Sequence, residues 1–120
     1  MNLNKKKDDV IMVNYIVFDL EATCEDKEIL QKKRRTFENE MTEIGAVKVK
    51  EKGEIIDTFN RFVKPILNPV LTEFCKSLTS ISQSDIDNAK SFPEVIKEFR
   101  DWIGEEDYVL CSWGFYDKSQ

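Results

Sequence analysis

The pattern of apolar and polar positions predicts three strands in the first half of the chain. Residues 13–20 form an apolar, β-branched run that predicts a buried strand. β-branched residues return between Glu43 and Lys50, and the turn signal KEKGE then leads into residues 54–65, which alternate up to Pro65. Because no clear crossover helix separates these segments, we expect three strands in an antiparallel meander.

The second half of the chain shows helical spacing instead. After Pro69, apolar residues at helical spacing predict one helix: Val70, Leu71, Phe74, Cys75 and Leu78. Ser82 is a typical cap for a short second helix. A third helix begins at the cap Ser91, has Pro93 in its first turn and ends at Gly104, and one stripe of it is apolar: Val95, Ile96, Phe99, Trp102 and Ile103. We interpret that stripe as core.

A last strand, Tyr108 to Ser112, follows this helix, which is typical of a strand added in parallel to a sheet. The pattern therefore predicts an α/β fold with a mixed sheet of three antiparallel meander strands plus one parallel strand. Residues 25–40 are dense in charge and free of Gly and Pro, and both a solvated loop and a short helix fit them. We favour a long, mobile connection. We expect residues 1–12 to form a disordered tail. Residues 13–120 are expected to belong to a single domain.

Composition narrows the class of protein. The chain has 120 residues, 41% hydrophobic and 34% charged, enough for one domain with a core. No apolar run is long enough for a membrane helix and the start is too polar for a signal peptide, so we expect no membrane association and a cytoplasmic location. The three cysteines lack zinc-site spacing and histidine is absent, so we expect reduced thiols.

The first strand carries two acids where a buried strand should pack. Asp19 and Glu21, one residue apart, point to the same face. Two carboxylates at this spacing can share a divalent cation or hold two, and hard cations such as magnesium and manganese prefer oxygen ligands. On spacing alone, two acids on an exposed sheet face are favoured over a metal site. The net charge of −5 argues against nonspecific binding of nucleic acid over the whole surface, but cations bound to clustered acids would offset it locally.

Further motifs resemble a known family. FDLEATC is similar to the first motif of the DEDD 3′-to-5′ exonucleases of the histidine type (DEDDh), which have a ribonuclease-H-like fold. TEIGAV resembles the second-strand segment of that family, residues 62–99 resemble its following stretch, and CSWGFYDKSQ resembles its second acidic motif. The order and spacing are most similar to the branch of the histone-mRNA and small-RNA trimming exonucleases and a bacterial sporulation-inhibitor exonuclease.

The resemblance implies roles for individual residues. Asp19, Glu21 and Asp117 would hold two magnesium or manganese ions at the terminal phosphate, for a hydrolase that removes nucleoside monophosphates from the 3′ ends of RNA or single-stranded nucleic acid. A second group would border the terminal nucleotide: Ala22, Thr23, Leu78 and Thr79. Apart from the resemblance, Trp113 lies beside the second acidic motif and is a candidate to stack on a base, but a buried Trp near a strand end fits this position better. We expect Glu43 to make a supporting contact.

The sequence also departs from the family pattern. Ser80 stands where the family has a glycine, which is expected to tighten that turn. No histidine is present to act as general base, and the sequence ends three residues after Asp117, before a late His/Asp motif. We therefore interpret the chain as the N-terminal part of a C-terminally truncated exonuclease domain with impaired activity and possible self-association through exposed surface. The alternative is a noncatalytic fragment that binds nucleic acid or a protein partner.

Overall fold

The computed structural model describes residues 13–112 of the chain. This part contains four strands and four helices, in this order: β1 (Asn14–Ala22), α1 (Lys27–Lys33), β2 (Met41–Lys50), β3 (Ile55–Phe62), α2 (Glu73–Thr79), α3 (Gln83–Asp87), α4 (Phe92–Ile103) and β4 (Tyr108–Ser112). No helix within residues 13–112 is long and apolar enough to span a bilayer. The predicted tail, residues 1–12, lies outside the described residues.

The four strands form one sheet in the order β3-β2-β1-β4. β1 pairs antiparallel with β2, β2 pairs antiparallel with β3, and β4 pairs parallel with β1. Val17, for example, lies opposite Val47 of β2 and Cys111 of β4. The sequence prediction of a three-strand meander plus one parallel strand is therefore confirmed.

One face of the sheet packs against α4 and forms the main core. The buried strand residues there are Ile16, Ile44, Ala46 and Phe59, and α4 contributes Val95 and Ile103. Phe99 and Trp102 of α4 complete the layer, with ring centroids 5.3 and 5.4 Å from Phe59. Four of the five residues in the apolar stripe predicted for this helix thus belong to the core: Val95, Phe99, Trp102 and Ile103. Pro93 and Gly104 occupy its first turn and its end as predicted.

A second, smaller cluster lies beside one end of the sheet. It consists of Leu71, Cys75, Ile81 and Ile86, with Cys24 and Phe62 packed against it. Ser82 caps α3 as predicted, and its side chain and that of Asp85 bind each other's backbone N–H groups in a capping box. α2 begins later than predicted, because Thr72 caps it, and Val70 and Leu78 are exposed rather than buried.

The prediction of a long, mobile connection over residues 25–40 was wrong in one part. Residues Lys27–Lys33 form α1, the short helix that was the alternative. Asp26 caps it by accepting a hydrogen bond of 2.8 Å from the N–H of Glu28. The helix contains no buried residue, so its few apolar side chains gave no stripe from which it could be predicted.

Candidate active site

Two carboxylates lie at the carboxyl-terminal end of β1, an interior strand of the sheet. Asp19 is exposed and Glu21 is half-buried. The alternate residues Phe18 and Leu20 pack on the α4 side, so the two acids belong to the opposite face. Their Cα atoms are about 6.6–7 Å apart, from the rise of a strand. The structure thus places the predicted acidic pair side by side.

The cross-strand neighbours of this pair come from β2 and β3. Gly45 of β2 lies directly opposite Asp19, and Glu43 lies opposite Glu21. A Cβ atom on Gly45 would come within 3.3 Å of the Asn60 Nδ2 atom. Asn60 donates a hydrogen bond of 3.0 Å from Nδ2 to Glu43 Oε2, so the Glu43 carboxylate is bound by β3. This is the supporting contact expected for Glu43.

A β-bulge interrupts the pairing immediately after the acids. Glu21 pairs with Glu43 but Ala22 pairs with Met41, so Thr42 is the extra residue. Thr42 is fully buried, and its hydroxyl oxygen has no hydrogen-bond partner within residues 13–112. Bulges bend a strand and increase its twist. This one lies in β2, directly opposite the point where the acidic pair of β1 ends.

Beyond the bulge, the end of β1 is held by Glu40. The N–H of Thr23 donates to the Glu40 carbonyl at 2.7 Å, and the N–H of Glu40 donates to the Thr23 hydroxyl at 2.8 Å. Thr23 is only 1% exposed. Its hydroxyl and its N–H are therefore both engaged within the protein, and Ala22 is the more accessible residue after the acids.

α2 is attached to the same strand end. The Cys75 thiol lies 3.6 Å from the carbonyl oxygen of Ala22 in a weak hydrogen bond, and the Thr72 hydroxyl donates to the carbonyl of Cys24 at 2.6 Å. Burial, followed by the neighbouring Cys75, raises the pKa of Cys24 to about 12, so this thiol stays protonated. Both cysteines are free thiols, as predicted.

The loop before α2 is bound by the Glu40 carboxylate. Three successive backbone N–H groups donate to it, from Ile66 at 2.7 Å, Leu67 at 2.9 Å and Asn68 at 2.8 Å. Burial alone would raise the pKa of Glu40, but the three N–H donors together lower it below its usual value. The role of Glu40 was missed from the sequence, where it is one acid in a charged segment.

The predicted base-bordering residues lie at the end of α2. Leu78 is 65% exposed. The Thr79 hydroxyl donates to the Cys75 carbonyl at 2.8 Å and accepts from the N–H of Ile81 at 3.2 Å. Ser80, which replaces the family's glycine, has φ 63°, a left-handed conformation that favours glycine.

Two predicted site residues, Trp113 and Asp117, lie outside the described residues. Within residues 13–112, no group of three or more His, Cys, Asp or Glu side chains is arranged to hold a metal ion. Of the three predicted metal ligands, the described part contains Asp19 and Glu21. The third predicted ligand, Asp117, stays a prediction.

Comparison with known proteins identifies the family of the chain. The exonuclease family model of the RNase T type matches residues 16–117. The chain belongs to this exonuclease family. Human 3′-5′ exoribonuclease 1 is 35% identical over 111 residues, and the match covers 87% of this chain and 30% of that protein.

Two further similar proteins are a nuclease domain of known structure and a bacterial DNA polymerase. The nuclease domain of 3′hExo, a DEDDh family member bound to rAMP, is similar with a TM-score of 0.74 and 34% identity; the match covers 88% of this chain and 54% of that one. The resemblance to the DEDDh exonucleases is thus confirmed. A PolC-type DNA polymerase III of Staphylococcus saprophyticus is 38% identical over 112 residues, with 92% of this chain and 7% of that protein covered.

The chain spans about a third or less of the length of these curated relatives. It corresponds to the N-terminal part of the DEDDh exonuclease domain, whose members are 3′-5′ exonucleases. The acidic pair, the bulge and the attached α2 all lie within the matched residues.

Proposed function

We propose that the chain carries one part of the active site of a metal-dependent 3′-to-5′ exonuclease. The observation that carries this proposal is the placement of Asp19 and Glu21 side by side at the end of an interior strand, where Gly45 and Glu43 of β2 lie opposite them. The family supports the reaction class, hydrolysis of a phosphodiester bond at a 3′ end.

The donor chemistry of these residues fits magnesium or manganese. Both side chains offer carboxylate oxygens, the ligands that hard divalent cations prefer, and Glu43 is bound to Asn60 rather than to the pair. Asp19, Glu21 and Asp117 would hold the metal. When bound, divalent cations supply positive charge that activates water and stabilises the leaving 3′ oxygen.

The terminal nucleotide would be bordered by two elements that are attached to each other. Ala22 follows the acids on β1, and Leu78 is exposed on α2 and available to contact a base. Thr23 and Thr79 have engaged hydroxyls, so we propose that they act by fixing the backbone around the nucleotide. Trp113 remains the candidate for stacking.

We propose RNA as the substrate. The exoribonuclease name of the human relative and the rAMP bound to the similar nuclease domain support RNA, whereas the polymerase relative is the reason to test DNA beside it. No histidine occurs in the 120 residues. We therefore propose that the chain alone trims RNA far more slowly than a complete exonuclease that has a general base. Its proposed location is the cytoplasm.

Titration calorimetry with manganese and AMP tests the metal site. We expect manganese to bind weakly to the purified chain and to increase AMP affinity, and the Asp19→Asn and Glu21→Gln variants to lose at least tenfold in manganese affinity. Glu54→Gln, an exposed acid in the β2–β3 hairpin, is the matched control and should bind as the parent chain does. Equal manganese affinity in all four proteins would contradict the proposal.

A noncatalytic role in self-association is the second candidate, and β4 is the observation that favours it. β4 is the outermost strand of the described sheet on its side, and its residues Tyr108, Val109 and Leu110 are 45–49% exposed. Exposed apolar edge strands pair with other chains. Sedimentation velocity should show a concentration-dependent dimer that Val109→Lys weakens. A monomer at all concentrations would exclude this role.

A further inference from the structure

A basic segment leaves the sheet directly after the acidic pair. Residues 24–39 form an excursion whose two ends are joined, because Thr23 and Glu40 exchange hydrogen bonds of 2.7 and 2.8 Å. Within it, five of the nine residues 27–35 are cationic and one is anionic, in a chain of net charge −5. Residues 27–35 thus concentrate positive charge within an excursion that starts and ends beside the strand end holding Asp19 and Glu21.

The four consecutive cations Lys32, Lys33, Arg34 and Arg35, here called the basic cluster, are all exposed. They take part in none of the ion pairs of residues 13–112, which join Arg61 and Lys90 to Glu98, and Lys76 to Glu73. Neighbouring like charges repel one another, so the cluster is best neutralised by an external polyanion.

α1 holds this cluster in a defined position without contributing to the core. The helix buries no residue, so core packing does not account for it. Asp26 caps its start, and at its end Arg34 adopts a left-handed conformation, with φ 52°. The Arg34 N–H donates to the Gln31 carbonyl at 3.2 Å and the Arg35 N–H to the Leu30 carbonyl at 2.9 Å.

The geometry of the excursion limits its reach. Three linking residues, 24–26, span at most about 10 Å, and a seven-residue helix adds about 10 Å. With Arg34 and Arg35 after the helix, the basic cluster lies within about 25 Å of Thr23, a distance that covers no more than about seven phosphates at ~3.4 Å per nucleotide.

From these observations we propose that the basic cluster binds the phosphates of the nucleic-acid strand a few nucleotides upstream of the 3′ end held at Asp19 and Glu21. The inference rests on the proposed function, which places a 3′ terminus at the acidic pair. The acids recognise the terminal phosphate through metal, whereas the cluster attracts the following backbone directly and without base specificity.

The test is fluorescence anisotropy with a 5′-labelled 20-nucleotide single-stranded RNA in EDTA, between 50 and 300 mM salt. The variant Lys32→Gln/Lys33→Gln/Arg35→Gln retains Arg34 at its left-handed position. We expect its affinity at 0.1 M salt to fall at least tenfold, and the slope of log affinity against log salt to become shallower by about 2, at ~0.7 per lost phosphate contact.

The matched control is Lys50→Gln/Lys52→Gln/Lys97→Gln, which removes the same charge from exposed positions elsewhere. It should retain the parent slope. Equal slopes for the two triple variants would overturn the inference. It would also be overturned if the Lys32→Gln/Lys33→Gln/Arg35→Gln variant lost binding to phosphatidylserine vesicles while its RNA affinity stayed unchanged. The single charge reversal Lys33→Glu, which touches one exposed residue, gives a second test if the triple variant folds poorly, and it should weaken RNA binding several-fold.

A mononucleotide separates this inference from the proposed function. AMP is too short to reach the basic cluster, so its manganese-dependent binding should be the same in the variant and the control. If the parent chain, the variant and the control all failed to bind AMP, the proposed metal site would be contradicted. If RNA affinity still depended on the basic cluster in that case, the cluster would remain a nucleic-acid contact.

Discussion

The two faces of the sheet differ in what they bury and in what they carry. On one face, Ile16, Ile44 and Phe59 are at most 4% exposed beneath α4. On the other, Tyr15 and Val17 are half-buried and belong to neither hydrophobic cluster of the described residues. The same strand that supplies the core from its even positions presents both acids from its odd positions.

One face of β1 therefore contributes to the stability of the fold, and the other carries the residues proposed for the chemistry. Burial of apolar side chains stabilises the α4 face, whereas two neighbouring carboxylates on the opposite face repel each other until a cation or a hydrogen-bond donor offsets them. The bulge at Thr42 and the bonds of Glu40 lie where the strand leaves the sheet. They hold the acid-bearing end in place without adding apolar burial there.

The largest expected effect is a contrast between adjacent positions on β1. Ile16→Ala leaves a cavity under α4 and should lower the free energy of unfolding by about 3 kcal/mol. Val17→Ala, on the other face, should cost about 1 kcal/mol or less, because its side chain is only half-buried. Urea denaturation of both variants measures the contrast, and equal losses would mean that the two faces contribute alike.

A smaller loss of unfolding free energy is expected for substitution of Glu40, which joins the end of β1 to the loop before α2. Glu40→Gln replaces a carboxylate that accepts three N–H bonds, and should lower the free energy of unfolding by about 1 kcal/mol at pH 7, since the site is partly exposed. Glu38→Gln, an exposed neighbour, is the control and should change it little.

The pH dependence of the Glu40 effect has a definite sign. Because the folded-state pKa of Glu40 is lowered, its contribution is fully present above the usual glutamate pKa and disappears as the pH falls through the lowered value. The difference between the parent chain and Glu40→Gln should therefore shrink in acid. A difference that grows below pH 4 would show that the carboxylate is not stabilised as described.

The smallest change in unfolding free energy is expected for a substitution in the turn after α2. Ser80→Gly removes the cost of a left-handed conformation but also gives the unfolded chain more freedom, so a net gain of about 0.5 kcal/mol is expected in thermal or urea unfolding. A loss of more than about 1 kcal/mol would show that the Ser80 side chain has a favourable contact.

The fold was predictable where local patterns agree with burial. The period of α4, its cap Ser91 and its end at Gly104 are all readable in the sequence, because that helix packs one apolar stripe on the sheet. α1 was not predictable in the same way, since it buries nothing and is defined by its caps. Val70 and Leu78 fit the helical spacing of α2, yet both are exposed.

The candidate site was predictable only in part, for a related reason. Asp19 and Glu21 are neighbours in sequence, so the strand period alone puts them on one face. The contacts of Glu40 with residues 66–68 and the bulge at Thr42 depend on which strand lies opposite which residue, and no local pattern gives that register.

The most direct test of the central claim, a divalent metal site at the acid-bearing end of β1, is paramagnetic broadening by manganese in the amide NMR spectrum. The account predicts that substoichiometric manganese broadens the amides of residues 19–23 and 43–46 before the others, and that Asp19→Asn abolishes this selectivity. Broadening centred on other acids, such as Glu51 and Glu54 in the hairpin, or equal broadening throughout the chain, would contradict the account.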